Sequence, residues 1–226
     1  MLVAKMSIKE LKEREKEQRR DYIVDAADKL FLSRGYDSVS MNDIADAVGM
    51  NKATLYLYFK SKESLFFSVV QRGVRLMEAQ FREATAREQT GIGKVRAIGE
   101  TFIAFSQKHP DHYRMFIYSS SDRFDWDCCT EAQSCHEMMH VINDIMCEAI
   151  EMGMIDGTIR KDMDPLEIAI FLMTATQNIV SLGQGFQADL KGRGFSYQQY
   201  VEHSMSLLGQ AIEGREGAAR QLTITK

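Results

Sequence analysis

Proline is almost missing from this sequence, with Pro110 and Pro165 the only two in 226 residues. A backbone so rarely deprived of its amide donors can run in long helices, and the apolar residues recur at spacings of three and four with no convincing strand pattern. Long hydrophobic runs are also missing. No stretch approaches the ~18 consecutive apolar residues needed to cross a bilayer. Lys5, Lys9 and Glu10 interrupt any apolar segment near the start that could act as an export signal. The expectation is a cytoplasmic protein with no membrane partner. Cysteine is sparse, and Cys128, Cys129, Cys135 and Cys147 are confined to one third of the chain. Without an export signal, four such residues point to reduced thiols and not to a disulfide framework. A net positive charge is lacking too, since 28 Lys and Arg face 32 Asp and Glu for a net charge of −4. Any nucleic-acid surface must therefore be local.

The division of charge along the chain shows where. Residues 1–62 hold 12 basic against 10 acidic residues, and the remainder holds 16 against 22. The positive part contains the most informative stretch, Ser40 to Lys62. Ser40 followed by Asp43 reads as a capping box that starts a short helix. Ile44, Ala45 and Val48 share one face of that helix, and Gly49 can take the left-handed conformation that ends it. Asn51 sits where an N-cap belongs, opening a second short helix whose Leu55 and Phe59 return to the same core. Two short helices joined by a tight glycine turn make a helix-turn-helix. Lys52, Ala53 and Thr54 are small or polar side chains able to approach base edges or a thymine methyl in a major groove. Tyr56, Tyr58 and Lys62 offer donors to phosphate oxygens, and Ser40 and Asn51, besides capping, lie on the same side. The expected DNA-binding set is Ser40, Asn51, Lys52, Ala53, Thr54, Tyr56, Tyr58 and Lys62.

At these residues the chain resembles the TetR family of transcriptional regulators. The resemblance rests on Ala26-Ala27, Leu30-Phe31, Gly35-Tyr36, Ser40-Met41, Ile44-Ala45, Val48-Gly49, Lys52-Ala53, Leu55-Tyr56, Tyr58-Phe59 and Lys62-Glu63-Ser64-Leu65. It covers roughly the first third of the chain. It implies an all-α protein, in which an N-terminal three-helix DNA-binding domain with a helix-turn-helix precedes a larger helical ligand-binding and dimerisation domain. The expected division is a charged helical arm over residues 1–19, the DNA-binding domain over 20–62, the regulatory domain over 63–214 and a flexible tail over 215–226.

The arm alternates charges in the manner of a solvated helix, although Arg19 and Arg20 could reach a phosphate or the minor groove. Ile23, Ala26, Ala27, Leu30 and Phe31 then mark an amphipathic helix ending at Gly35. From Ser61, an N-cap, a helix is expected to run to about Arg87. Gly91-Ile92-Gly93 marks a break. Further helices are expected to end near His109-Pro110 and Ser119, and a long one to run from Thr130 to Met152. Gly153–Pro165 reads as a turn-rich connector. Ile168, Leu172, Ala175, Ile179 and Leu182 form one heptad-like stripe, and Val201, Met205, Leu208 and Ile212 another, separated by a linker from Gly183 to Gly194. These stripes suit a two-fold four-helix interface between copies, or simply the domain's own core.

Ten of the 14 methionines lie beyond Lys62 with the only tryptophan, which suits either plain core or an interior shaped around an apolar guest. The family resemblance implies a small-molecule pocket framed by the middle helices. Phe81, Phe102, Phe105, Met115, Phe116, Trp126, Met138, Met139 and Phe171 are its candidate lining. The resulting expectation is a non-enzymatic homodimeric repressor with no cofactor and no metal, bound to a palindromic operator in double-stranded DNA and released by a small apolar or amphipathic effector. One alternative is a helix-turn-helix protein whose C-terminal region only dimerises or docks a protein partner. A further alternative is a metal-dependent enzyme or metal sensor using Cys135, His136 and His140. That reading lacks the glutamate of the zinc-protease helix motif and any Cys-x-x-Cys pair.

Overall fold

Helix signals dominate the chain, and the computed structural model, which describes residues 7–214, realises them as ten α-helices with a single isolated β-bridge, Ile159 to Glu213. In order these are α1 (Ile8–Arg34), α2 (Met41–Ala47), α3 (Lys52–Tyr58), α4 (Lys62–Ala86), α5 (Gly91–Lys108), α6 (Pro110–Ser119), α7 (Thr130–Asp156), α8 (Pro165–Val180), α9 (Gln184–Gly192) and α10 (Tyr197–Ile212). The expected tail over 215–226 lies outside the described residues. Among the described helices, none is by itself long and apolar enough to cross a membrane.

The chain divides into two compact units, Met1–Arg75 with Asp111–Met138, and Leu76–Pro110 with Met139–Lys226. In the first, α1 is one continuous helix, so the charged segment and the apolar segment are the two ends of a single element. Its start is secured by a capping box of Ser7 and Glu10 and its end by Gly35 at φ 76°. Ile23, Val24, Ala27 and Phe31 are the buried face of its second half, and α1 packs on α2, which packs on α3. Leu55 and Phe59 are fully buried, as the 3.6-residue period requires. Around them lies an aromatic cluster. Phe66 stacks on Phe124 with centroids 5.0 Å apart, and Tyr36 meets the edges of both.

In the second unit α8 packs against α5 and α10, and α9 packs against α10. The break before α5 falls at residues 87–90, with Thr90 as N-cap, and Gly91 is the first helical residue and not a breaker. Its role is close approach: a methyl group there would overlap the backbone of Gly153. The Gly91 amide donates to Asp156 Oδ2 at 2.8 Å, which satisfies one of the orphan donors at a helix start. Helix α7 continues through Gly153 to Asp156, four residues beyond the expected end. The expected linker after α8 contains α9, whose residues are nearly all exposed.

The two apolar stripes divide between buried and partly open positions. Ile168, Leu172, Ile179, Val201 and Ile212 are buried in the chain's own core, so they are not available to a second copy. Ala175, Leu182, Met205 and Leu208 are half-buried. The apolar residues left open on these helices are Leu166, Ile170, Phe171 and Leu207, each at least 47% exposed. Helix α8 is apolar on both faces, so periodicity alone could not say which face turns inward.

Candidate nucleic-acid interface

The helix-turn-helix is held by local hydrogen bonds at both starts. Ser40 and Asp43 form the full capping box: the Asp43 amide donates to Ser40 Oγ at 3.2 Å, and the Ser40 amide and hydroxyl donate to Asp43 Oδ2. Those bonds hold the Asp43 carboxyl below its ordinary range. Gly49 takes φ 66° in the turn between the helices. The Thr54 amide then donates to Asn51 Oδ1 at 2.8 Å, starting α3. Because Leu55 and Phe59 are drawn inward, Lys52, Ala53, Tyr56 and Leu57 are left facing solvent.

Ser40, Asn51, Lys52, Ala53 and Tyr56 are exposed, and Thr54 and Tyr58 are half-buried. The Ser40 hydroxyl is already engaged with Asp43. Lys62 is half-buried with its ammonium 4.0 Å from the centroid of the Tyr36 ring, and burial lowers its pKa. Glu63, beside it, accepts the Tyr36 hydroxyl at 2.8 Å. Lys62 thus packs the reading unit together as well as lying at its edge. Leu57 is 72% exposed on the same helix and adds an apolar side chain to its open face.

Arg20, expected as a possible phosphate or minor-groove contact, is instead an internal strut. Its guanidinium donates to the Tyr58 carbonyl at 2.9 Å and to Glu131 Oε1 at 2.6 Å, and it lies 4.1 Å over the Phe59 ring. The Tyr58 carbonyl at the end of α3 thereby gains a cationic donor. Burial pushes the Glu131 carboxyl up, but hydrogen bonds from Ser64 and Arg20 outweigh it and hold the group below the ordinary carboxylate range. No sequence pattern joins residues 20, 58 and 131.

The candidate pocket residues fall in both units. In the first, Met115 is buried, Phe116, Trp126 and Met138 are half-buried, and Trp126 stacks on His136 at 5.4 Å. In the second, Phe81 and Phe105 are buried and Phe102 and Met139 half-buried, whereas Phe171 is 47% exposed and lies on the surface, a correction to its assignment as pocket lining. That unit holds a small, partly open cavity of about 40 Å³ lined by residues including Val95, Arg96, Gly99, Leu172, Thr176 and Met205. Cys135 is fully buried and His136 and His140 are exposed, so the three do not converge. Among the described residues no group of three or more His, Cys, Asp and Glu side chains could hold a metal ion. Burial pushes the Cys135 thiol up to about 12.

Two short capped helices joined through a left-handed glycine, with the second helix held inward at two points and open along its other face, define a helix-turn-helix protein of the DNA-binding class. Residues 23–69, which hold the helix-turn-helix, match the sequence model of the bacterial regulatory proteins of the tetR family. It is similar to the transcriptional activator FasR of Mycolicibacterium smegmatis, with 32% identity over 118 residues, 52% of this chain and 51% of FasR. It is also similar to the transcriptional repressor KstR2 of Rhodococcus jostii, with 28% identity over 170 residues, 71% of this chain and 77% of that protein. The fold matches that of AibR, solved in complex with isovaleryl coenzyme A and operator DNA, with a TM-score of 0.63 over 84% of this chain and 97% of AibR at 22% identity. The chain spans about half or less of the length of the first curated relatives it matches. These relatives are transcriptional regulators and not enzymes.

Proposed function

We propose that this chain is a homodimeric repressor that reads a two-fold operator with α3 and is released from it by a small apolar or amphipathic molecule. The observation that carries this reading is the open face of α3, where Lys52, Ala53, Tyr56 and Leu57 stand clear of a core closed by Leu55 and Phe59. In a major groove, Lys52, Ala53 and Thr54 meet base edges while Tyr56 and Tyr58 bind phosphates, with Ser40, Asn51 and Lys62 at the margin. A single pair of seven-residue helices covers few base pairs, so two copies reading half-sites about 34–36 Å apart supply the affinity. The exposed Leu166, Ile170, Phe171 and Leu207 support a second copy on that face of α8 and α10.

The methionine and aromatic content beyond Lys62 supports an effector, and AibR's complex with an acyl thioester suggests the class to try first. An effector that binds better to a dimer with displaced reading helices shifts the population away from the operator-bound form. The test is selection of bound duplexes from a random pool, followed by release assays with acyl-coenzyme A thioesters and apolar small molecules. A palindromic consensus, changed by Thr54→Ala and lost on effector addition, is the expected result. A pool that never enriches overturns the DNA-reading proposal. Enrichment without release by any such compound, and without their raising the melting temperature, favours a C-terminal region that only dimerises or docks a protein.

A further inference from the structure

Residues 8–19 of α1 are all exposed, and they bury nothing in the chain. A helix segment with no packing is marginal in water, yet this one begins with a complete capping box. Its charges are sorted by face. At 100° per residue, Lys9, Lys12, Lys16 and Arg19 fall within an arc of about 80°, while Glu10, Glu13 and Glu17 share a separate arc of about 60°. The basic arc is continuous with the reading helix. Lys12, Lys16 and Arg19 line a surface groove together with Tyr22 and with Tyr58, the last residue of α3. Glu15 is the one acidic side chain in that groove. Among the described residues, none of Lys12, Lys16 and Arg19 takes part in an ion pair, whereas Arg20, Arg34 and Arg72 of the same unit do.

We propose that this face of α1 is a second DNA-contacting surface, which binds the phosphates of duplex flanking the base pairs read by α3. The inference rests on the DNA-reading function proposed above and extends it from two short helices to a helix of 27 residues. The partner is a duplex backbone because the groove is lined by point charges, a glutamine and phenol donors and by no aliphatic side chain, which suits phosphate oxygens spaced along a strand. Contact here adds affinity and register but no base preference, and it lets a net-negative protein present a positive edge to DNA.

The experiment compares full-length wild type with the triple variant Lys12→Gln, Lys16→Gln, Arg19→Gln, in which glutamine keeps helix propensity while removing charge. Each is titrated with a short duplex containing only the selected site and with the same site flanked by further base pairs, across a range of salt. Wild type is expected to bind the flanked duplex more tightly. The variant is expected to lose that gain and to reduce the slope of log affinity against log salt by up to about 2.7, or about 0.9 for each phosphate contact removed. Its base preference should be unchanged. An unaltered slope and an unaltered flank gain overturn the inference, as does a variant that loses base preference together with affinity. If the wild type shows no base preference, the reading function of α3 fails by itself, and the slope measured on random duplex still decides the role of the stripe. Circular dichroism matching wild type guards against a folding defect, and Lys16→Glu alone, expected to lower the flank gain further than Lys16→Gln, provides an independent check.

Discussion

The guanidinium of Arg20 donates to a carbonyl at the end of α3 and to a carboxylate 111 residues further along the chain, and both partners are partly buried. Removing it leaves Glu131 without its cation and the Tyr58 carbonyl without its donor. Hydrogen bonds to charged groups at such sites contribute about 1.5–3 kcal/mol, so Arg20→Ala is expected to lower unfolding stability by about 2 kcal/mol, read from the denaturant midpoint. Arg20→Lys should restore little, because a single ammonium cannot serve three partners in a planar fork. The same site predicts a pH dependence. Glu131 is held below its ordinary value in the folded protein, so its stabilisation is complete above the unfolded value of about 4.3 and disappears as pH falls through the lower folded value. Thermal unfolding across pH 3–6 should therefore show a shallower acid loss in Glu131→Gln than in wild type. An identical acid slope would remove Glu131 from this account.

Among the elements, α2 and α3 were the most legible, because the side-chain bonds that start them lie within three residues of their partners. Ser40 with Asp43, Asn51 with Thr54, and Gly49 in the left-handed region are local facts, and local facts can be read from spacing. Gly49→Ala should cost about 1–2 kcal/mol in stability, the penalty of a left-handed backbone for a residue with a Cβ, and it should weaken DNA binding in parallel. Gly91 is different. Its φ is ordinary, and its constraint comes from the backbone of Gly153 in another helix, so spacing alone suggested a break. Gly91→Ala is expected to be the more damaging substitution, since backbone must move to admit the methyl group. Equal denaturant midpoints for the two variants would contradict this ordering. Helix α9 reads as a linker because Gly183, Gly185, Gly192 and Gly194 punctuate it at both ends.

For the whole molecule, the informative disagreement is over α8 and α10. Ile168, Leu172 and Ile179 repeat at the spacing of an interface helix and are nevertheless core, whereas Leu166 and Ile170 repeat almost as well and remain open. Leu172→Ala should cost about 2–5 kcal/mol as a core truncation. The double variant Ile170→Lys with Leu207→Lys should keep its fold while light scattering reports a monomer, and its operator affinity should collapse because the two half-sites are no longer linked. A dimer that survives both lysines would move the interface elsewhere.

The sequence by itself determined the helical class, the helix-turn-helix and most helix starts, because capping, glycine conformation and a 3.6-residue period act over one or two turns. Only the tertiary structure decided which face of a doubly apolar helix turns inward, that Arg20 is a strut, and that Lys62 rests on Tyr36. It also brought Lys12, Lys16 and Arg19 beside Tyr58. Each of these depends on residues tens of positions apart being brought together, and no local period encodes that pairing.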